Sequence, residues 1–227
     1  MRPPNIIVML MDNLGYGDLG CYGSRLHRTP NVDRLAREGM RFTSFYSTSG
    51  VCTPSRASLM TGCYPRRVDM HCSGRGRCVL MPVEPKGLNP REITVARLLK
   101  DRGYATACVG KWHLGDQPPF LPTRHGFDEF FGIPYSEDMV PDSSSPSRRD
   151  WPPLPLMRQE RVVEGAPDRD YLTRRYTEES LRFIRANRER PFFLYLAQAM
   201  PGSCAFAFAS PAFRGKSANS VYGDAVE

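Results

Sequence analysis

Apolar positions along the chain fall into two kinds of run. Asn5 to Met11 and Phe192 to Ala197 (F-F-L-Y-L-A) are almost continuously apolar, the pattern of parallel strands buried on both faces. The first is bounded by Pro-Pro and by Asp12-Asn13 and is therefore read as a central strand. Tyr104 to Val109 is a third, shorter strand, and Met40 to Tyr46 alternates enough for a fourth. Between these runs the spacing becomes helical. Thr29 and Pro30 open a helix with Val32, Leu35 and Ala36 on one face and Gly39 at its end. Ile93 to Arg102 turns Val95, Leu98 and Leu99 inward and stops at Gly103, while Tyr171 to Arg188 gathers Leu172, Tyr176, Leu181 and Ile184 on one side. Residues 66–91 show no period and read as an irregular loop near a site. Residues 137–155, rich in Ser, Pro, Asp and Arg, read as a mobile surface loop within one domain. The alternation of strand and helix predicts an α/β fold: a mostly parallel, doubly wound sheet with helices on both faces.

Composition adds limits. At 227 residues and 41% hydrophobic the chain fills one to two domains. No run nears the ~18 apolar residues of a membrane span. The opening M-R-P-P-N-I-I-V-M-L-M lacks a small-residue cleavage site and reads as a strand, not a signal peptide, so the compartment stays unassigned. A net charge of +7 suits an anionic substrate, but the basic residues are scattered with no aromatic-interleaved stripe, which argues against a nucleic-acid partner. Seven cysteines are an odd number whose spacings define no disulfide framework. His71, Cys72 and Cys78 lack a second ligand pair and make a poor zinc site.

Three places carry chemistry. From Cys52 to Gly62 the chain reads C-T-P-S-R-A-S-L-M-T-G, which presents Cys52 at the start of a helix, where free N–H groups and Arg56 would both face an anion. Asp12 and Asn13 end the first strand beside a glycine-rich turn, where open α/β sheets place their ligands. In G-K-W-H-L-G, Lys111 and His113 lie two apart, so an extended segment would turn both toward one anion.

C-T-P-S-R followed by M-T-G closely resembles the signature of the type I, arylsulfatase-like sulfatases of the alkaline-phosphatase-like superfamily. Gly103 to His113 resembles their second signature, and H-G-F-D-E-F-F-G from His125 resembles a stretch that often follows it. The resemblance implies that Cys52 is oxidised to formylglycine by a formylglycine-generating enzyme, and that the hydrated aldehyde attacks the sulfur of a sulfate monoester on a small molecule or glycan. It further implies that Arg56 and Lys111 orient the hydrate and neutralise charge, that His113 takes the proton of the collapsing hydroxyl, and that Asp12, Asn13 and modified Cys52 hold Ca2+ or Mg2+. His125 reads as a packing residue. Two departures stand out. Asn13 replaces a second metal-binding aspartate, and Gly202 stands where the family carries a histidine that protonates the departing alcohol, which predicts a preference for aryl esters. Such enzymes are commonly exported and continue beyond the position of Glu227, so residues 1–227 read as an N-terminal catalytic portion ending inside a helix that starts at Val221. Two alternatives remain: a phosphodiesterase or phosphonate hydrolase of the same superfamily, and a silent remnant that only binds.

Overall fold

The structure, a computed structural model, describes residues 3–202 and 207–227. Six strands form one sheet: β1 (Ile6–Asp12), β2 (Ala105–Lys111), β3 (Glu129–Ile133), β4 (Pro155–Arg158), β5 (Arg161–Gly165) and β6 (Phe192–Pro201). Their spatial order is β1-β6-β2-β3-β4-β5. The first four strands in that order run parallel, while β4 and β5 add an antiparallel hairpin. The mostly parallel α/β reading therefore holds.

Alternation along β2 and β6 divides the core. Cys108, Phe193, Tyr195 and Ala197 pack with Ala57 and Met60 of α2 (Cys52–Thr61) and Ala96 of α3 (Val95–Lys100). Ala107, Val109, Leu194 and Leu196 pack on the opposite side with Leu172, Tyr176 and Phe183 of α4 (Leu172–Ala186). Helices thus cover both faces, each burying apolar area worth roughly 25 cal/mol per Å². The central strands approach so closely that a Cβ on Gly110 would lie 1.9 Å from the Ala197 carbonyl oxygen.

Several expectations need correction. Among the described residues β1 is an edge strand and not a central one: it pairs with β6 alone, and Ile7 and Met9 are about half exposed. An apolar run reports apolar surroundings but not how many strands flank it. Met40 to Tyr46 forms no strand; Met40, Phe42, Phe45 and Tyr46 are exposed in an irregular segment. The helix α1 (Pro30–Glu38) exists, but none of its residues is buried and Leu35 faces solvent. Leu98 and Leu181, expected inward, are also exposed; Ala96 and Phe183 take those buried places. β2 and β6 run further than expected, to Lys111 and Pro201, and so deliver polar residues to one end of the sheet. The terminal helix α5 spans Ser220–Val226.

Candidate active site

Asp12 ends β1, Lys111 ends β2 and Cys52 begins α2. Parallel pairing through β6 brings the two strand ends to the same side, and the helix N-terminus comes to meet them. α2 forms because Pro54 is tolerated in a first turn and Gly62, in the left-handed region, caps the end by donating to Ser58 O at 2.8 Å. Thr53 locks the helix start in place. Its buried hydroxyl donates to His113 O at 3.0 Å and accepts from Leu80 N at 3.1 Å.

The centre is an ion-pair cluster. Asp12 Oδ2 lies 2.8 Å from Arg56 Nη2 and 2.5 Å from Lys111 Nζ, all three side chains being almost fully buried. Arg56 also donates to Lys111 O at 2.5 Å and to the Tyr195 hydroxyl at 3.4 Å. Cys52 Sγ lies 3.5 Å from Lys111 Nζ and 3.8 Å from Asp12 Oδ1. Four expected site residues, Asp12, Cys52, Arg56 and Lys111, therefore converge.

Charges are set by burial against pairing. Burial pushes the Asp12 carboxyl up, but Lys111 and Arg56 outweigh it and hold it below the usual carboxylate range. Lys111 is pulled down by burial yet ends above its usual value, held charged by Glu137 and Asp12. Burial raises the Cys52 thiol, opposed by Lys111 and reinforced by Asp12. A protonated thiol is a weak nucleophile, so the unmodified side chain is poorly suited to attack.

His113 meets the site differently from the expectation of a shared strand face. It lies beyond β2 with a φ of 60°, so the period-two argument does not reach it. Its ring is buried with Nε2 3.0 Å from Leu80 O. A carbonyl only accepts, so Nε2 carries the proton and Nδ1 is left with no protein partner. Burial, with Lys111 adding to it, lowers the ring to about 3. His125 is fully buried with its ring 5.5 Å from that of Trp112, as expected of a packing residue.

Two side chains that the sequence reading missed complete the cluster. Ser136 Oγ accepts from Lys111 Nζ at 2.7 Å and donates to Glu137 Oε2 at 3.1 Å. Glu137 Oε2 is itself 3.7 Å from Lys111 Nζ. The available signal was a polar pair directly after the buried I-P-Y at the end of β3.

A hard divalent cation wants six or more oxygen ligands, and this chain's donors fall short. Asp12 Oδ2 is taken by two cations. The exposed Asn13 donates its amide to Gly202 O at 3.0 Å, leaving one oxygen. Together with Asp12 Oδ1 and an oxygen at position 52, the expected ligand set amounts to three atoms. Among the described residues no group of three or more His, Cys, Asp or Glu could hold a metal ion. The residues do not fit a complete metal site. Cys21, Cys52, Cys63, Cys72, Cys78 and Cys108 are free thiols, and Cys204 lies outside the described residues.

Known proteins similar to this chain carry one description. A family model described as Sulfatase matches residues 4–220. The chain is 42% identical to N-acetylgalactosamine-6-sulfatase of Canis lupus familiaris over 99% of its length, and 43% identical to arylsulfatase A of Homo sapiens over 86%. It spans 44% and 41% of those two proteins. A crystal structure of the sulfatase PsFucS1 from Pseudoalteromonas sp. superposes with a TM-score of 0.82 at 29% identity, covering 99% of this chain and 49% of that one. The ion-paired strand ends, the helix-start cysteine and these matches lead to one conclusion: the chain belongs to the sulfatase family, with its alkaline-phosphatase-like fold.

Proposed function

We propose that the protein hydrolyses sulfate monoesters with the side chain at position 52, after its oxidation to formylglycine by a partner enzyme, as nucleophile. The observation that carries this reading is the placement of Cys52 Sγ within 4 Å of both Lys111 Nζ and Asp12 Oδ1 while its thiol is held protonated. In the native thiol, Sγ marks where the two hydroxyls of the aldehyde hydrate would project. One hydroxyl oxygen bonds to sulfur, the ester S–O bond breaks and the alcohol leaves. The second hydroxyl then gives up its proton, the carbonyl reforms and sulfate is expelled without water attacking sulfur. Lys111 and Arg56 are preorganised cations for the sulfate oxygens. The family resemblance assigns the second hydroxyl's proton to His113, whose Nδ1 is the unprotonated ring nitrogen with no protein partner. No step here is routed through a metal ion.

The relative named for N-acetylgalactosamine 6-sulfate supports a sulfated sugar as the substrate class. The test pairs two measurements. The peptide containing Cys52, isolated from the native host, is weighed intact, and the protein is assayed with 4-nitrophenyl sulfate and 4-nitrophenyl phosphate. The expected result is the aldehyde mass with turnover of the sulfate alone. Turnover of the phosphate instead favours the phosphodiesterase-type alternative, and an unmodified thiol in a protein that turns over sulfate normally overturns the mechanism.

A further inference from the structure

The segment H-C-S-G-R-G-R-C, residues 71–78, takes no part in the chemistry above, and among the described residues its histidine and two cysteines do not gather into a metal site. Its backbone folds into a hairpin. Gly76 N donates to Ser73 O at 3.1 Å, Gly76 takes the left-handed φ of 72°, and Ser73 N donates to Arg77 O at 2.8 Å. A turn followed by a left-handed glycine, with the flanking residues joined, is the three-residue hairpin loop with a bulge. The buried Ser73 hydroxyl fastens it from inside, accepting from Arg75 N and Arg77 N at 3.1 Å each.

The register of this hairpin sets Cys72 against Cys78. The hydrogen bond from Ser73 N to Arg77 O joins the two peptide groups that link Ser73 to Cys72 and Arg77 to Cys78. The cysteines are therefore the next opposed pair, one with no hydrogen bond between its members. Such residues lie about 4.5 Å apart at Cα with their side chains on one face, inside the roughly 4.4–6.8 Å that a disulfide spans. Both arms are anchored. Val68 and Met70 ahead of the hairpin and Leu80 after it are buried in one core cluster, and a Cβ on Gly74 would lie 2.9 Å from the buried Glu84 carboxyl. The two sulfurs are unbonded here, Cys78 exposed and Cys72 half-buried, so an oxidant can reach them.

We propose that Cys72 and Cys78 form an oxidation site, a thiol pair that a low-molecular-weight disulfide converts into a covalent bond across the hairpin. One cysteine thiolate attacks a sulfur of the oxidant and expels the first small thiolate; the other then attacks the mixed disulfide and expels the second. The protein gives up two electrons and two protons, and the oxidant leaves as two thiols. The new bond stands two residues from Leu80, whose N–H donates to Thr53 and whose carbonyl accepts from His113. Oxidation thus locks an arm that holds one side of the ion-pair site, whatever ester the site cleaves.

Oxidised glutathione is the probe. The folded protein is incubated with it, remaining thiols are alkylated, and the product is digested with trypsin, which cuts after Arg75 and Arg77, between the two cysteines. The expected product is peptide 68–75 joined to peptide 78–86, two hydrogens lighter than the sum of the two. In Cys72→Ser the joined species is absent and Cys78 carries glutathione. Thermal unfolding supplies the second readout: oxidation is expected to raise the midpoint of the parent by about 5 °C, and to leave that of a Cys72→Ser, Cys78→Ser double variant unchanged. The parent reduced and alkylated replaces the variants if they do not fold. Glutathione retained on both cysteines, or either one joined to Cys63 or another cysteine, overturns the pairing. A joined pair with no rise in the midpoint overturns the lock.

Discussion

At the scale of single residues, the site depends on exclusion as much as attraction. Gly202 is needed because Glu137 occupies its side-chain space, so Gly202→Ala is expected to displace the carboxyl from beside Lys111 and to lower stability. Thermal unfolding checks this, and an Ala variant as stable as the parent would show that the two positions are independent. Asp12 carries the opposite burden, since it balances two buried cations. Asp12→Asn leaves Arg56 and Lys111 uncompensated and is expected to destabilise the fold by about 3–5 kcal/mol at neutral pH. The Asp12 carboxyl is held below its ordinary value of 3.8, so its contribution is present above that pH and is lost as pH falls through the lower, folded value. The gap between parent and variant in urea unfolding should therefore close only in strong acid. Asp12, Cys52, Arg56 and Lys111 were legible because each belongs to a motif at an element's end. Ser136 and Glu137 were not, because they follow β3 in an irregular segment whose position only the tertiary fold sets.

At the scale of elements, the cluster is as rigid as the strands and helix that carry it. Gly110 sits at φ 111° in the centre of the sheet, where a Cβ would collide with the backbone of β6, a neighbour with no freedom to yield. Gly110→Ala is expected to abolish the folded state, seen as loss of the cooperative thermal transition; a folded variant would mean that β2 and β6 can separate. Thr53 joins α2 to the loops bearing His113 and Leu80 through two buried hydrogen bonds. Thr53→Val should cost about 1–3 kcal/mol, because it leaves a buried N–H and a buried carbonyl each short of a partner. Thr53→Ser, which keeps the hydroxyl, should recover most of that loss in thermal unfolding. Why some elements could be read and others not has a physical basis. β2 and β6 are buried along their whole length and α4 along one face, so their patterns are dictated by packing, whereas α1 and residues 40–46 lie at the surface and obey no such constraint. β1 has the apolar composition of an interior strand but, among the described residues, one strand beside it, and composition does not encode the number of neighbours.

For the whole molecule, two buried histidines set the response to acid. The ring of His113 is lowered to about 3 by burial and by Lys111, and that of His125 to about 4 by burial and by Arg97, both from an ordinary value of 6.5. Between pH 6.5 and about 4 the unfolded chain binds a proton at each ring while the folded protein refuses it, so stability falls as pH falls. The slope approaches about 1.4 kcal/mol per pH unit for each histidine. Glu137 works in the opposite direction, since a carboxyl raised by burial binds its proton more tightly in the folded state and offsets part of the loss. His125 is the one to remove, because it lies against Trp112, outside the ion-pair cluster, and neither ring nitrogen has a protein partner. His125→Leu should raise stability at pH 5 relative to pH 7.5 and reduce the slope by one proton's worth, leaving the His113 contribution in place. Urea unfolding at the two pH values measures both quantities. An unchanged slope would mean that His125 titrates normally in the folded protein, and that water reaches a ring buried completely in this structure.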